Sequence, residues 1–203
     1  MPDHFKKDDK IESTITYLEM TKRPLSPTPR PSNTAPGERL SLMRALRPTV
    51  SFYRFLYGTV GAPWLWYERL LLDDHTLART IQNDDVEIYV LYLGGVPAGY
   101  SELDARDPQD IELAYFGLMP EFIGRGLGRF FLRWTIDQAW THAPRRFWVH
   151  TCTQDHPSAV GLYQKEGFVP YDQKRIVIED PRQIIAAGRG AVATPHTPDN
   201  DVS

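Results

Sequence analysis

The chemistry-bearing residues concentrate between Asp110 and Trp134, DIELAYFGLMPEFIGRGLGRFFLRW. An apolar strand from Ile111 to Leu118 runs into a short loop over Met119, Pro120 and Glu121. A glycine-rich turn follows, Gly124-Arg125-Gly126-Leu127-Gly128, and opens directly into a helix. Glycines let the backbone curl with its N–H groups pointing inward, and the helix start adds the positive end of its dipole. Such a turn holds an anionic phosphate by main chain alone, and Arg125 or Arg129 can add positive charge.

Two familiar nucleotide sites do not fit. An NTPase P-loop needs Lys and then Ser or Thr after the last glycine, and this chain has Arg129 and Phe130. A dinucleotide fingerprint needs GxGxxG and an acidic residue at the end of the next strand. Here the glycines alternate, and the next strand, RFWVHT, ends in His150 and Thr151. His150, Cys152, Asp155 and His156 form a cluster, but CxxC and HExxH spacings are absent, so no metal is expected. These four residues read as bordering the anion site or filling the core beside it.

Downstream lies SAVGLYQKEGF, Ser158 to Phe168. The order of strand, IGRGLG turn (Ile123 to Gly128), helix, strand and LYQKEGF helix resembles the GNAT acetyltransferases. Their acetyl-CoA site follows Q/RxxGxG/A, and their later helix follows AxxLYxxxGF. The resemblance covers roughly Glu38 to Pro170. It departs in two places: Ile123 stands where the family has Gln or Arg, and His156 stands where it often has Asn. Backbone N–H groups from Ile123 to Gly128 still suit a pyrophosphate.

The resemblance implies an α/β GNAT fold, a mixed and mostly antiparallel central sheet with helices on both faces. It further implies acetyl-CoA as co-substrate and direct transfer of its acetyl group to a primary amine of a small molecule or peptide. Glu112, the only acidic residue inside its strand, matches the position where some relatives carry a general base. Tyr163 matches the tyrosine that in many relatives protonates the departing thiol. Backbone at Phe116, Gly117 and Leu118 would polarise the thioester carbonyl. Cofactor contacts are expected from those three residues, from Ile123, Gly124, Arg125, Gly126, Leu127, Gly128 and Arg129, and from His156. A free amine of lysine type has a pKa near 10.4, so a base must act before attack. A non-catalytic acyl-CoA sensor of the same fold, and a phosphate-ligand binder of unrelated fold, stand as alternatives.

The elements that must position these groups follow from pattern. Residues 1–37 read as an N-terminal extension, charged to about Ser13, with ITYLEM (Ile15 to Met20) as a short edge strand and a proline-rich extended arm after it. The GNAT domain is expected over 38–182, with a flexible tail over 183–203 and one helical turn near Ile184. Within the domain, a strand at Glu38 to Leu46 leads to a helix begun by Pro48, and Asp73 or Asp74 caps a second helix. VEIYVLYL and VPAGYSELD form a hairpin about Gly94-Gly95. A largely apolar helix from Gly126 to Trp140 carries one polar stripe, Arg129, Arg133 and Asp137. Asp155 or His156 caps the LYQKEGF helix, Pro157 sits in its first turn, and Gly167 ends it. Trp64, Trp66 and Tyr67 read as core or lid, with an aromatic wall for the acceptor as the alternative.

Composition sets outer bounds. A chain of 203 residues, 41% hydrophobic and 12% aromatic, supports one globular core. Its net charge of −3 argues against general nucleic-acid binding, and no run approaches the roughly 18 uncharged apolar residues of a membrane span. A cytoplasmic protein with no membrane or nucleic-acid partner is the expectation, with a homodimer left open. Cys152, the single cysteine, excludes an internal disulfide.

Overall fold

Seven strands form one sheet, and two of them, Val86–Leu93 and Val96–Asp104, are buried almost continuously because helices cover both faces. In the computed structural model, which describes residues 10–25, 27–29, 31 and 38–189, the elements run β1 (Lys10–Met20), β2 (Leu40–Arg44), α1 (Val50–Gly61), α2 (Asp74–Ile81), β3 (Val86–Leu93) and β4 (Val96–Asp104). They continue with β5 (Asp110–Leu118), α3 (Leu127–Ala139), β6 (Arg146–Cys152), α4 (Ala159–Lys165), β7 (Val169–Glu179) and α5 (Pro181–Arg189). The seven strands lie in the order β2-β3-β4-β5-β6-β1-β7. Every neighbouring pair is antiparallel except β5 with β6.

Helices cover both faces, as the α/β GNAT architecture requires. On one side Tyr53, Leu56, Tyr57 and Val60 of α1 and Leu77 and Ile81 of α2 bury against Ile88, Val90 and Tyr100. On the other, Leu132 and Ile136 of α3 and Tyr163 of α4 pack on Leu18, Leu103, Ile111, Phe147 and Val149. Local chemistry starts the helices: the Thr49 side chain accepts the Phe52 N–H, and Asp73 accepts the Thr76 N–H. Pro48 lies just before the Thr49 cap and not in the first turn of α1. α3 departs from side-chain capping, because Gly126 at its N-cap has φ 75° and opens the helix through its backbone.

Four further expectations are corrected. ITYLEM is no edge strand: it is the second half of an eleven-residue strand that pairs with β6 on one side and β7 on the other. Sequence periodicity reports which faces are covered, not which strands flank an edge. The segment before Glu38 thus supplies an interior strand of the sheet. Neither Asp155 nor His156 caps α4; the cap position is Ser158, with no side-chain bond, and Pro157 lies outside the helix. The helical turn near Ile184 is the nine-residue α5. The strand expected at Glu38 to Leu46 shortens to β2: backbone bonds from Gly94 N–H to the Arg39 carbonyl and from Ala45 N–H to the Ile88 carbonyl flank it, and the chain bends at Leu46 and Arg47, where Arg47 has φ 50°.

The proline-rich arm runs past α3, where Arg23 and Thr28 both donate to Asp137, the latter at 2.8 Å. The charged N-terminus before Lys10, Pro36 in the arm and the tail after Arg189 lie outside the described residues. Among the described residues no helix is long and apolar enough to cross a membrane.

Candidate active site

β5 and β6 pair only over Asp110–Glu112 and Arg146–Trp148, and then diverge. Along β5 an extra residue, Ala114, separates Leu113 opposite Leu103 from Tyr115 opposite Glu102, a bulge that bends the strand away. Beyond Glu112 the edge of β5 that faced β6 has no strand partner among the described residues, so its backbone groups face the gap. A cavity of about 600 Å³ opens there, lined by both diverging strands. That volume is typical of a small-molecule site.

One arm of the cavity runs to the glycine-rich turn. Phe116, Gly117, Leu118, Ile123, Gly124, Gly126, Gly128, Arg129 and His156 all line it. Gly124 and Gly126 have φ of 81° and 75°, and a side chain built at Gly124 would meet only open space. The curl therefore reflects backbone conformation and not crowding; at its start the Ile123 N–H is given to the Pro120 carbonyl at 3.3 Å. Two expected contacts do not reach the wall. Arg125 pairs with Glu38 at 2.6 Å and lies over the Phe122 ring, and Leu127 is fully buried in the core. Arg129 lines the cavity while bonding Glu166 at 2.6 Å. Lys165, at the end of α4, is a further cation on this wall.

Gly117 is where strand and helix meet most closely. A Cβ there would lie 2.4 Å from Val60 Cγ1, and one on Gly99, which faces Leu118 across the β4–β5 pair, would lie 2.5 Å from the Gly117 carbonyl oxygen. Only glycine lets α1 approach the strand beside the gap.

The titratable groups sit on the two sides of the gap. Tyr163 lines the cavity yet is only 6% exposed, and burial raises its pKa, so it stays a protonated donor. Glu112 is not on the cavity wall. Its Oε1 lies 2.9 Å from His150 Nδ1, and it is the half-exposed His150 that lines the cavity. The hydrogen bond that His150 donates to the Glu112 carboxylate raises the His150 pKa against the opposing effect of desolvation. Burial pushes the Cys152 thiol up, away from the thiolate a covalent nucleophile needs. Among the described residues no group of three His, Cys, Asp or Glu converges as a metal site.

Residues 50–168 match the sequence model of the Acetyltransferase (GNAT) family, more than half of the chain. The chain belongs to the GNAT family. Over 89 residues, 44% of this chain, it is 32% identical to a mycothiol acetyltransferase of Acidothermus cellulolyticus, spanning a quarter of that protein's length. A GCN5-related N-acetyltransferase from Sphaerobacter thermophilus superposes with a TM-score of 0.59 at 13% identity, covering 81% of this chain and 50% of that one. An aminoglycoside acetyltransferase from an uncultured soil metagenomic sample gives 0.52 at 12% identity, over 63% of this chain and 87% of that one. These structural likenesses carry the GNAT fold.

The second arm of the GNAT cavity is walled by the loop after α1, by β1 and by β7. Sequence reading had left that loop between core and lid. Trp66 packs on Tyr57 and Tyr115, with ring centroids 5.5 and 5.2 Å away. Its indole N–H donates to Asp155 Oδ1 at 3.0 Å, and Asp155 Oδ2 accepts from the Thr151 hydroxyl and the Cys152 N–H. Trp64 rests edge-on against His156 at 4.9 Å. The loop is thereby tied to the end of β6 and the start of α4. Asp155 is thus the anchor of this loop, a role its position before a helix did not suggest. The Glu112–His150 pair escaped sequence reading too, because the register between β5 and β6 is set by the fold.

Proposed function

We propose that this GNAT protein transfers the acetyl group of acetyl-CoA directly to a primary amine. The observation that carries this reading is that Tyr163 and His150 line one cavity from opposite sides of the diverging strands, with the glycine-rich turn at its end. Acetyl-CoA would lie with its pyrophosphate on the N–H groups from Gly124 to Gly128, the Ile123 N–H being given to the Pro120 carbonyl, and its thioester in the gap beside Gly117 and Leu118. Unpaired backbone N–H groups on that edge of β5 would stabilise negative charge developing on the thioester oxygen.

The amine arrives as an ammonium and must lose a proton before its nitrogen can attack the acyl carbon. Glu112 serves as base through His150: the imidazole takes the proton and the Glu112 carboxylate holds the ring and steadies its charge. As the C–N bond forms and the C–S bond breaks, the Tyr163 hydroxyl gives its proton to the departing thiolate; the nitrogen sheds its second proton to water as the amide forms, and the Tyr163 phenolate recovers a proton from water. No metal takes part in this scheme.

The test is thiol release from acetyl-CoA with a panel of amines. Release should require an amine. Tyr163→Phe should lower kcat by on the order of 10²-fold while CoA affinity holds. Tight CoA binding with no release for any amine would instead favour a sensing module.

A further inference from the structure

The arm of the cavity away from the glycine-rich turn has its own chemistry. Trp66, Tyr67, Tyr115, Ile15 and Ile176 wall it, and Glu68 supplies its carboxylate. That carboxylate is held in place: the Tyr57 hydroxyl donates to Glu68 Oε2 at 3.1 Å and itself accepts the Arg69 N–H. Oε1 takes no protein partner among the described residues. Tyr115 is fixed too, with the Arg69 guanidinium 5.3 Å from its ring centroid. The other cavity carboxylate, Asp155, is already bonded through both oxygens.

Positive charge is arranged the opposite way. The two permanent cations on the wall, Arg129 and Lys165, sit on α3 and α4 at the glycine-rich end. His150, on the acceptor side, is held by Glu112. An acceptor carboxylate entering this arm would meet Glu68 and find no guanidinium or ammonium to receive it, among the described residues that line it. A long polycation would find one ready carboxylate and several aromatic rings.

Resting on the N-acetyltransferase reading, we infer that the acceptor is a monoamine whose ammonium is drawn by Glu68 and whose body is aromatic or bulky and apolar. The rings offer both area and cation–π attraction, and the single carboxylate orients the nitrogen. Amines bearing a carboxylate next to the nitrogen are disfavoured by repulsion and by desolvation without a partner.

Steady-state thiol release with the full-length protein tests this, using phenethylamine and tryptamine against phenylalanine, spermidine and n-propylamine. Phenethylamine and phenylalanine differ only in the carboxylate, and kcat/KM should favour phenethylamine by on the order of tenfold or more. Glu68→Gln should raise the KM for phenethylamine roughly tenfold, with kcat and the KM for acetyl-CoA nearly unchanged. Equal or better use of phenylalanine or spermidine overturns the inference alone, as does a Glu68→Gln variant with an unaltered amine KM. CoA binding without release for every amine overturns the acyl-transfer reading and this inference with it.

Discussion

At the scale of single residues, the Glu112–His150 pair sets the expected pH behaviour. The 2.9 Å contact raises the imidazole pKa above its ordinary value near 6.5. Acting as base requires the neutral ring, so kcat/KM should climb as pH rises through that raised value. In Glu112→Gln the carboxylate is gone, the His150 pKa falls, and the climb should move to lower pH in a pH–rate profile, with a lower plateau. An unmoved profile would remove His150 from the proton path. Stability runs the other way: the pair's contribution is fully present below the unfolded value and is lost as pH rises through the folded one. Glu112 was visible in the sequence as a lone acid in an apolar strand. Its partner was not, because His150 is 38 residues away and joins it only through the parallel register of two strands.

At the scale of elements, two contacts fix the walls of the cavity. Glycine at 117 lets α1 press on β5, and Gly117→Ala must move either Val60 or the strand. That overpacking should cost about 1–3 kcal/mol, read as a lowered denaturation midpoint, with a rise in the KM for acetyl-CoA. On the other face, Glu166 is fully buried and accepts from both Arg129 and Arg133 of α3, tying α4 to α3. Arg133 is itself only 5% exposed in its side chain. Glu166→Ala leaves that guanidinium buried without its counter-charge and should cost about 3–5 kcal/mol, seen as a Tm lowered by roughly 10 °C or more. The four-residue spacing of Arg129 and Arg133 was legible as a polar stripe. Its buried partner, Glu166 at the C-cap of α4, lies more than thirty residues on, so spacing alone could not supply it.

At the scale of the molecule, the first strand holds the sheet's far half together. β1 lies between β6 and β7, so removing residues 1–21 would unpair both and open the core at Leu18 and Met20. A chain begun at residue 38 should therefore fail to give a cooperative unfolding transition by circular dichroism, although it retains the whole of the family-matched segment 50–168. Local physics was written in the sequence: the hairpin of β3 and β4 about Gly94-Gly95, the Asp73 cap, and the glycines whose positive φ makes the turn at 124–126. Each depends on neighbours within a few residues, so the chain states it directly. The motifs IGRGLG and LYQKEGF likewise pointed to the GNAT fold. Tertiary structure alone decided which strand flanks which, that β5 and β6 part after Glu112, that His150 and not Glu112 meets the cavity, and that Asp155 anchors the Trp66 loop. Those outcomes depend on contacts between residues tens of positions apart, whose register is fixed by packing of the whole sheet and not by any local pattern.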